Sequence, residues 1–379
     1  MIAASLLALL SLAVWLGLLF GRGFFWQARE RDDRNEPPEP ATWPSVAAVV
    51  PARNEADLIA RSAGSLLAQD YPGSFRVILV DDQSGDGTGA AARALGSERL
   101  TVLDGAAHPA GWTGKLFAVH QGVAQANAED PPDYIWLTDA DIAHAPDNLR
   151  RLVARAEANK FVLTSLMAKL NCESFAERFL IPAFVFFFAM LFPFAWVNDP
   201  KKHAAAAAGG CMLVRREALA RAGGIEAIRA EIIDDCALAR RLKTQGPIWL
   251  GLTERAVSLR PYPRIADIRA MVARSAYAQL GYSPLVLAGT VLGMALLTVV
   301  PLAGLAMGGL APFFGTLAWA VMAAAFQPML YFYRRSPLWG LALPAIGVFY
   351  AAFTIDSAVQ HWRGRGGMWK GRAQAITPA

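Results

Sequence analysis

The sequence predicts an α/β domain with a parallel, Rossmann-like sheet, inserted between an N-terminal transmembrane helix and a C-terminal block of transmembrane helices. Three observations carry this. From Ser45 onward, short apolar strands alternate with helical patterns, the signature of strand–helix–strand units. Four stretches (1–21, 179–198, 280–333 and 336–355) contain no Asp, Glu, Lys or Arg, and each is close to or above the length that crosses a bilayer. The 379-residue chain is 55% hydrophobic and 18% charged, too apolar for an ordinary soluble enzyme and incompatible with intrinsic disorder or a collagen-like repeat.

The elements follow in order. Residues 1–22 read as an uncleaved signal anchor, because an apolar run ends without a small-residue cleavage pattern and Arg22, Arg29, Arg31 and Arg34 follow it. Basic residues on that flank place it in the cytoplasm. Residues 23–44 are a linker, charged and proline-rich from 31 to 44. The α/β domain occupies 45–260. Residues 46–50 form a buried strand, with Asn54 expected to cap a helix that Glu55 begins and that runs towards Gln69. Residues 77–80 form a second strand, followed by a turn at 81–87 and an alanine-rich helix. Residues 134–138 form a third strand, ending in Asp139-Ala140-Asp141.

Within this domain the run 179–198 is long enough to span a bilayer, but Pro182 and Pro193 interrupt it. A single crossing there would separate the acidic cluster near Asp235 from Asp139 and Asp141, so an interfacial or re-entrant segment is expected. Residues 261–283 form an amphipathic connector, 284–358 the C-terminal transmembrane helices and 359–379 a basic tail. Three crossings in 284–358 put that tail outside, whereas its Arg363, Arg365, Lys370 and Arg372 favour the inside. Count and charge point in opposite directions.

In open parallel sheets, ligands collect at the carboxyl ends of strands, and Arg53, Asp81, Asp82, Asp139 and Asp141 all stand at such ends. Adjacent Asp81 and Asp82 repel each other unless they bind something, and their carboxylates can accept hydrogen bonds from base or ribose groups. The alternative is a solvated turn in which Ser84 or Asp86 caps the next helix. Asp139-Ala140-Asp141 delivers two hard oxygen donors to one loop, suited to Mg²⁺ or Mn²⁺ bridging a diphosphate. Gly111-Trp112-Thr113-Gly114-Lys115 fails as a P-loop, since Pro109 stands where the first glycine belongs and Leu116 follows the lysine. Lys115 can still reach a phosphate as a point charge. The pair Gly209-Gly210 allows either a close substrate approach or a tight bend. Asp234 and Asp235 open a helix running through Leu242. There they serve either as caps or, in a site with an activated donor, as a general base.

Net charge is +5, with many basic residues flanking apolar segments, which indicates membrane anchoring and no nucleic-acid partner. Cys172, Cys211 and Cys236 have no CxxC spacing, so neither a disulfide framework nor a zinc site is expected.

The joint order of VVPARNE, VILVDDQSGDGT, GWTGK, WLTDADI, GGCMLVRREAL and IDDCALARRL across residues 45–260 resembles the family 2 glycosyltransferases. That resemblance implies a nucleotide-sugar-binding domain of the GT-A type. An N-terminal anchor with a hydrophobic C-terminal block is similar to the lipid-directed branch, most closely the bacterial hopanoid-biosynthesis-associated glycosyltransferases. The resemblance implies that Ala52, Arg53, Glu55 and Asp82 line a nucleotide pocket with Asp81 beside them, and that Lys115 contacts nucleotide or diphosphate. It further implies Asp139 at ribose, phosphate or metal, Asp141 on a divalent cation (Mn²⁺ or Mg²⁺), Gly209 and Gly210 near the acceptor, and Asp235 as base. Asp234 stands where many relatives carry Glu.

The implied activity is inverting transfer of one sugar from a nucleotide-diphosphate donor, UDP-linked by expectation, to a lipid hydroxyl such as that of a hopanoid. The implied location is the bacterial inner membrane, with the catalytic domain facing the cytoplasm. Processive synthases carry Gln-x-x-Arg-Trp beside the membrane. Here Met271-Val272-Ala273-Arg274-Ser275 lacks the Gln and the Trp, which disfavours chain elongation. A processive synthase, a transporter with a vestigial nucleotide domain and a non-catalytic nucleotide-binding membrane regulator are the competing readings.

Overall fold

The computed structural model describes residues 1–128, 130–369 and 372–373. After helix α1 (Ile2–Gly21), the chain alternates β1 (Val46–Ala52), α2 (Ala56–Leu67), β2 (Phe75–Asp81), α3 (Thr88–Arg93), β3 (Leu100–Asp104), α4 (Gly114–Ala128) and β4 (Tyr134–Leu137). The remaining strands of its sheet are β5 (Ile142–His144), β6 (Leu163–Lys169), β7 (Met212–Arg215) and β8 (Ile248–Ser258). All eight join one sheet in the order β3-β2-β1-β4-β7-β6-β8-β5. The expected strands appear, and β1 is buried along its whole length, as a continuous apolar run between helical layers must be.

The expectation of a parallel sheet holds for four of its seven neighbouring strand pairs, β6 with β8 among them. β1, β2, β3 and β4 are parallel, but β7 is antiparallel to both β4 and β6, and β5 is antiparallel to β8. The reason lies in the entry of β7. Met212 pairs with Leu137 and Arg215 with Tyr134, so β7 begins where β4 ends. The preceding Gly209-Gly210 bend arrives at the carboxyl edge of the sheet, and the chain can only run back down.

A second expectation is corrected at the start of α2. Asn54 has φ +49°, and its Oδ1 accepts from Gly85 N (3.0 Å) rather than from the helix. Capping comes from the neighbouring turn: Asp86 Oδ2 accepts from Ala56 N (3.0 Å) and Thr88 Oγ1 from Glu55 N (2.8 Å). The turns after β1 and β2 are thereby stitched into one unit. The helix itself ends at Leu67 rather than reaching Gln69.

Between β5 and β6 lies α5 (Asn148–Asn159). The apolar run after β6 forms α6 (Phe175–Leu191) and α7 (Phe194–Asn198), divided at Phe192-Pro193. α8 (Arg216–Arg221) follows β7, and α9 (Asp234–Lys243) opens at the expected acidic pair. The connector contains α10 (Ile265–Ala273) and α11 (Ala276–Gln279). Beyond it come α12 (Pro284–Met294), a π-helical turn (Ala295–Val299), α13 (Val300–Leu305), α14 (Ala311–Phe332) and α15 (Leu343–Trp362).

Among the described residues, four helical segments are long and apolar enough to cross a membrane: Ile2–Gly21, Pro284–Leu305, Ala311–Phe332 and Pro337–Trp362. The 179–198 run is not one of them. One side of α6 is buried along its length, Leu180 and Phe186 included, and the helix packs against α14, α10 and α15. α1 also joins the bundle, lying along α14 and α13. Trp15 Nε1 donates to Leu297 O (2.9 Å) and Ser11 Oγ to Leu296 O (2.8 Å). These bonds reach carbonyls in the π-helical turn, where the regular α-helical ladder is interrupted. In the basic tail, residues 370, 371 and 374–379 lie outside the described residues.

Candidate active site

The carboxyl ends of β1 and β4, the Gly209-Gly210 bend and the start of α9 converge on one cavity of about 450 Å³. Its polar end carries Arg53, Glu55, Lys115, Asp139, Asp141, Asp234 and Asp235, so seven charged residues singled out from the sequence share one wall system. Its other end is apolar, formed by Met167, Leu170, Phe184, Phe188 and Met271 from β6, α6 and α10 and the loop after β6.

Lys115, on the first turn of α4, bridges Asp139 (2.9 Å) and Asp234 (3.0 Å). Burial alone would lower its pKa, but the two carboxylates outweigh burial and hold it well above the ordinary lysine value. Burial likewise works against the Asp139 carboxylate, and Lys115 reverses that, leaving its pKa below the usual range. Asp235 goes the other way. Burial, reinforced by the adjacent Asp234 charge, pushes it up to about 6, a value at which a carboxylate is ionised at neutral pH and basic enough to take a proton.

The Asp235 carboxylate is held by two backbone donors, Gly209 N (3.0 Å) to Oδ2 and Cys236 N (2.7 Å) to Oδ1. Gly209 keeps this junction open. A Cβ there would stand 3.4 Å from Lys115 Nζ, 3.6 Å from Asp235 Oδ2 and 3.8 Å from Asp139 Oδ2, filling the space where these groups face one another. Gly210 packs against Ile142 and Ala168, which its Cβ would approach to 3.2–3.3 Å.

Three of the residues expected at the nucleotide do not form the cavity wall. Ala52 is fully buried in β1 and its carbonyl accepts from Asp82 N (2.8 Å). Asp82 is buried and pairs with Arg53 at 3.6 Å. Asp81 Oδ1 accepts from Ser84 N (3.1 Å), closing the turn. These groups stand beside the cavity at the ends of β1 and β2. Arg53 connects the two regions: it lines the cavity, and its Nε is buried without a hydrogen-bond partner, leaving a donor to be satisfied.

Arg260, just past β8, was not legible in the sequence, where an arginine after a strand carries no distinguishing signal. Its Nε contacts Asp141 Oδ2 at 2.8 Å and its Nη2 pairs with Glu55 Oε1. Tyr262 and Arg274 line the cavity nearby.

Among the described residues no group of three or more His, Cys, Asp or Glu side chains forms a metal cage. Asp139 and Asp141 nevertheless fit a cation that arrives with a diphosphate, since Mg²⁺-type sites commonly use one or two carboxylates with substrate phosphates and water.

A mixed α/β sheet with acidic and basic side chains gathered at the carboxyl ends of its parallel strands defines a GT-A-like domain. Residues 47–223 match the family model described as glycosyl transferase family 2. The sequence is 36% identical over 124 residues to the succinoglycan biosynthesis protein ExoO of Rhizobium meliloti, covering 32% of each chain. It is 30% identical over 131 residues to the 4,4'-diaponeurosporenoate glycosyltransferase of Staphylococcus aureus, covering 35% of this chain and 32% of that one. The chain thus matches about a third of the length of these curated relatives. Its fold is similar to that of a mannosyltransferase from Pyrobaculum calidifontis solved with GDP-Man and Mn²⁺. That similarity has a TM-score of 0.55 and 20% identity and covers 95% of this chain and 99% of that one.

Proposed function

We propose that the chain is a membrane-bound, inverting glycosyltransferase that moves one sugar from a nucleotide-diphosphate donor to the hydroxyl of an amphipathic lipid. The observation that carries this reading is one cavity lined both by a cation- and carboxylate-rich set that includes Asp235 and by the apolar side chains of Met167, Leu170, Phe184, Phe188 and Met271. The polar end suits a nucleotide diphosphate, with Arg53, Lys115 and Arg260 as cationic partners, and the family 2 match of residues 47–223 supports a nucleotide-sugar donor. The apolar end beside α6 suits a hydrocarbon body that leaves its polar tip at Asp235. The Staphylococcus aureus relative is named as a glycosyltransferase of 4,4'-diaponeurosporenoate, and the sequence resemblance to the hopanoid-associated branch makes a hopanoid the acceptor we favour.

In the proposed reaction Asp235 takes the proton of the acceptor hydroxyl as that oxygen bonds to the anomeric carbon. The bond from this carbon to the diphosphate oxygen breaks on the opposite face, so configuration inverts. Lys115 meets the charge that develops on the departing diphosphate. A divalent cation held by Asp139 and Asp141 would add Lewis-acid neutralisation of the same charge. We place the domain on the cytoplasmic face of the bacterial inner membrane, in keeping with the arginines that follow α1.

The test is release of nucleoside diphosphate by lipid-reconstituted protein, offered a panel of nucleotide sugars with and without hopanoid-containing lipid extract. Acceptor-dependent release from one donor, lost in Asp235→Asn, is expected. A saccharide acceptor is the second reading, favoured by the similarity to a succinoglycan biosynthesis protein. Release dependent on oligosaccharide but not on lipid would establish it in place of the first.

A further inference from the structure

The side chain of Arg260 joins three strand ends: its own after β8, Glu55 after β1 and Asp141 after β4. Glu55 is only 8% exposed and Asp141 is 18% exposed at its side chain. Two carboxylates this sheltered are costly to pack without a cation between them. A guanidinium fork meets that need with separate N–H groups, which a point charge does not. Lys115 does the same for Asp139 and Asp234. Each aspartate of Asp139-Ala140-Asp141 therefore already has a resident cation.

We propose that Arg260 is an internal counter-cation that guards Asp141, so that a divalent metal enters only together with the nucleotide diphosphate. This rests on the donor reading given above and extends it. A metal arriving alone must strip Arg260 from Asp141 and leave a partly buried guanidinium beside a new positive charge, which is unfavourable in a sheltered site. A metal arriving on a diphosphate brings more negative than positive charge with it. Arg260 then exchanges Asp141 for phosphate oxygens while keeping Glu55, and no charge is left unpaired. Arg260 is in this sense a positioning residue that sets the order of binding.

The experiment is a Mn²⁺ titration of the full-length protein in lipid nanodiscs, read by the electron paramagnetic resonance of free Mn²⁺, with and without UDP or GDP. In the wild type, Mn²⁺ binding should be weak alone and tightened by nucleotide. Arg260→Gln, which removes the charge, should bind Mn²⁺ without nucleotide about tenfold more tightly than wild type, and adding Asp141→Asn should abolish that gain. Arg260→Lys, which keeps the charge but lacks the fork, should fall between them. Equal nucleotide-free Mn²⁺ affinity in wild type and Arg260→Gln overturns the proposal, as does a gain that survives Asp141→Asn. Failure of every nucleotide to bind wild type would remove the donor reading instead, while the nucleotide-free comparison still decides the role of Arg260.

Discussion

At the scale of single residues, Asp235 sets the pH response. With its pKa raised to about 6 by burial and by Asp234, it is protonated below that pH and cannot accept a proton. Its kcat/KM should therefore fall on acidification through about pH 6, and a pH–rate profile checks this. Between the unfolded carboxylate range and pH 6 the folded state holds a proton that the unfolded chain has lost. Folding thus gains from this group towards acid and carries its ionisation cost above pH 6. Asp235→Asn should lower kcat by about 10²–10⁴-fold with nucleotide affinity nearly unchanged, measured by calorimetry.

A neighbouring group supports the site without touching it. His144 is buried and kept neutral, its pKa pushed down to about 3 by burial. Thr138 Oγ donates to Gly210 O (2.8 Å), so the His144 Nε2–H donates to Thr138 (2.8 Å) and Nδ1 accepts from Asn148 (3.0 Å). This chain ties the strand that carries Asp139 to the Gly209-Gly210 bend. Thr138→Val should cost about 1–3 kcal/mol in thermal unfolding by stranding the Gly210 carbonyl and the imidazole N–H. The site was legible wherever a charged residue ended a strand or opened a helix, as at Asp139, Asp141, Lys115 and Asp235. Arg260 and His144 were not, because their meaning comes from partners more than a hundred residues away or from burial.

At the scale of elements, α6 shows what the sequence concealed. Its composition reads as a membrane segment, yet its first turn is fastened to the α/β domain. The Glu177 carboxylate accepts from Tyr262 N (2.6 Å), Ser174 N (2.8 Å) and Glu173 N (3.0 Å). Burial opposes its charge, but these backbone donors outweigh burial and keep its pKa below the ordinary glutamate value. Its contribution to stability is present above that value and lost as pH falls. Glu177→Ala should cost about 1–3 kcal/mol and loosen the segment carrying Arg260 and Tyr262, visible as faster amide exchange at 260–264. The strands β1, β2 and β4 were legible as unbroken apolar runs. β3, β5, β6 and β8 were not singled out: Thr253, Glu254 and Arg255 interrupt the pattern of β8, whose pairing with β6 and β5 no local signal marks.

At the scale of the whole molecule, helices from both ends of the chain form one bundle against the α6 side of the α/β domain, and α1 is a packed member of it. Trp15→Phe removes the donor that meets Leu297 O and should cost about 1 kcal/mol, measured as detergent-solubilised thermal stability. The polarity pattern alone located the four apolar segments but not which of them embrace. The partners of Trp15 and Ser11 lie 282 and 285 residues further along. This gives the molecule a birth order. Once made, α1 waits with a tryptophan N–H and a serine hydroxyl unmatched until the chain has grown through Leu296 and Leu297. The intervening domain has time to fold while α1 is still unpaired, so the later helices close onto a helix laid down long before. Chains stalled after residue 283 should therefore hold a folded nucleotide domain on a loosely held N-terminal helix, and such intermediates are natural clients for membrane chaperones and quality-control proteases.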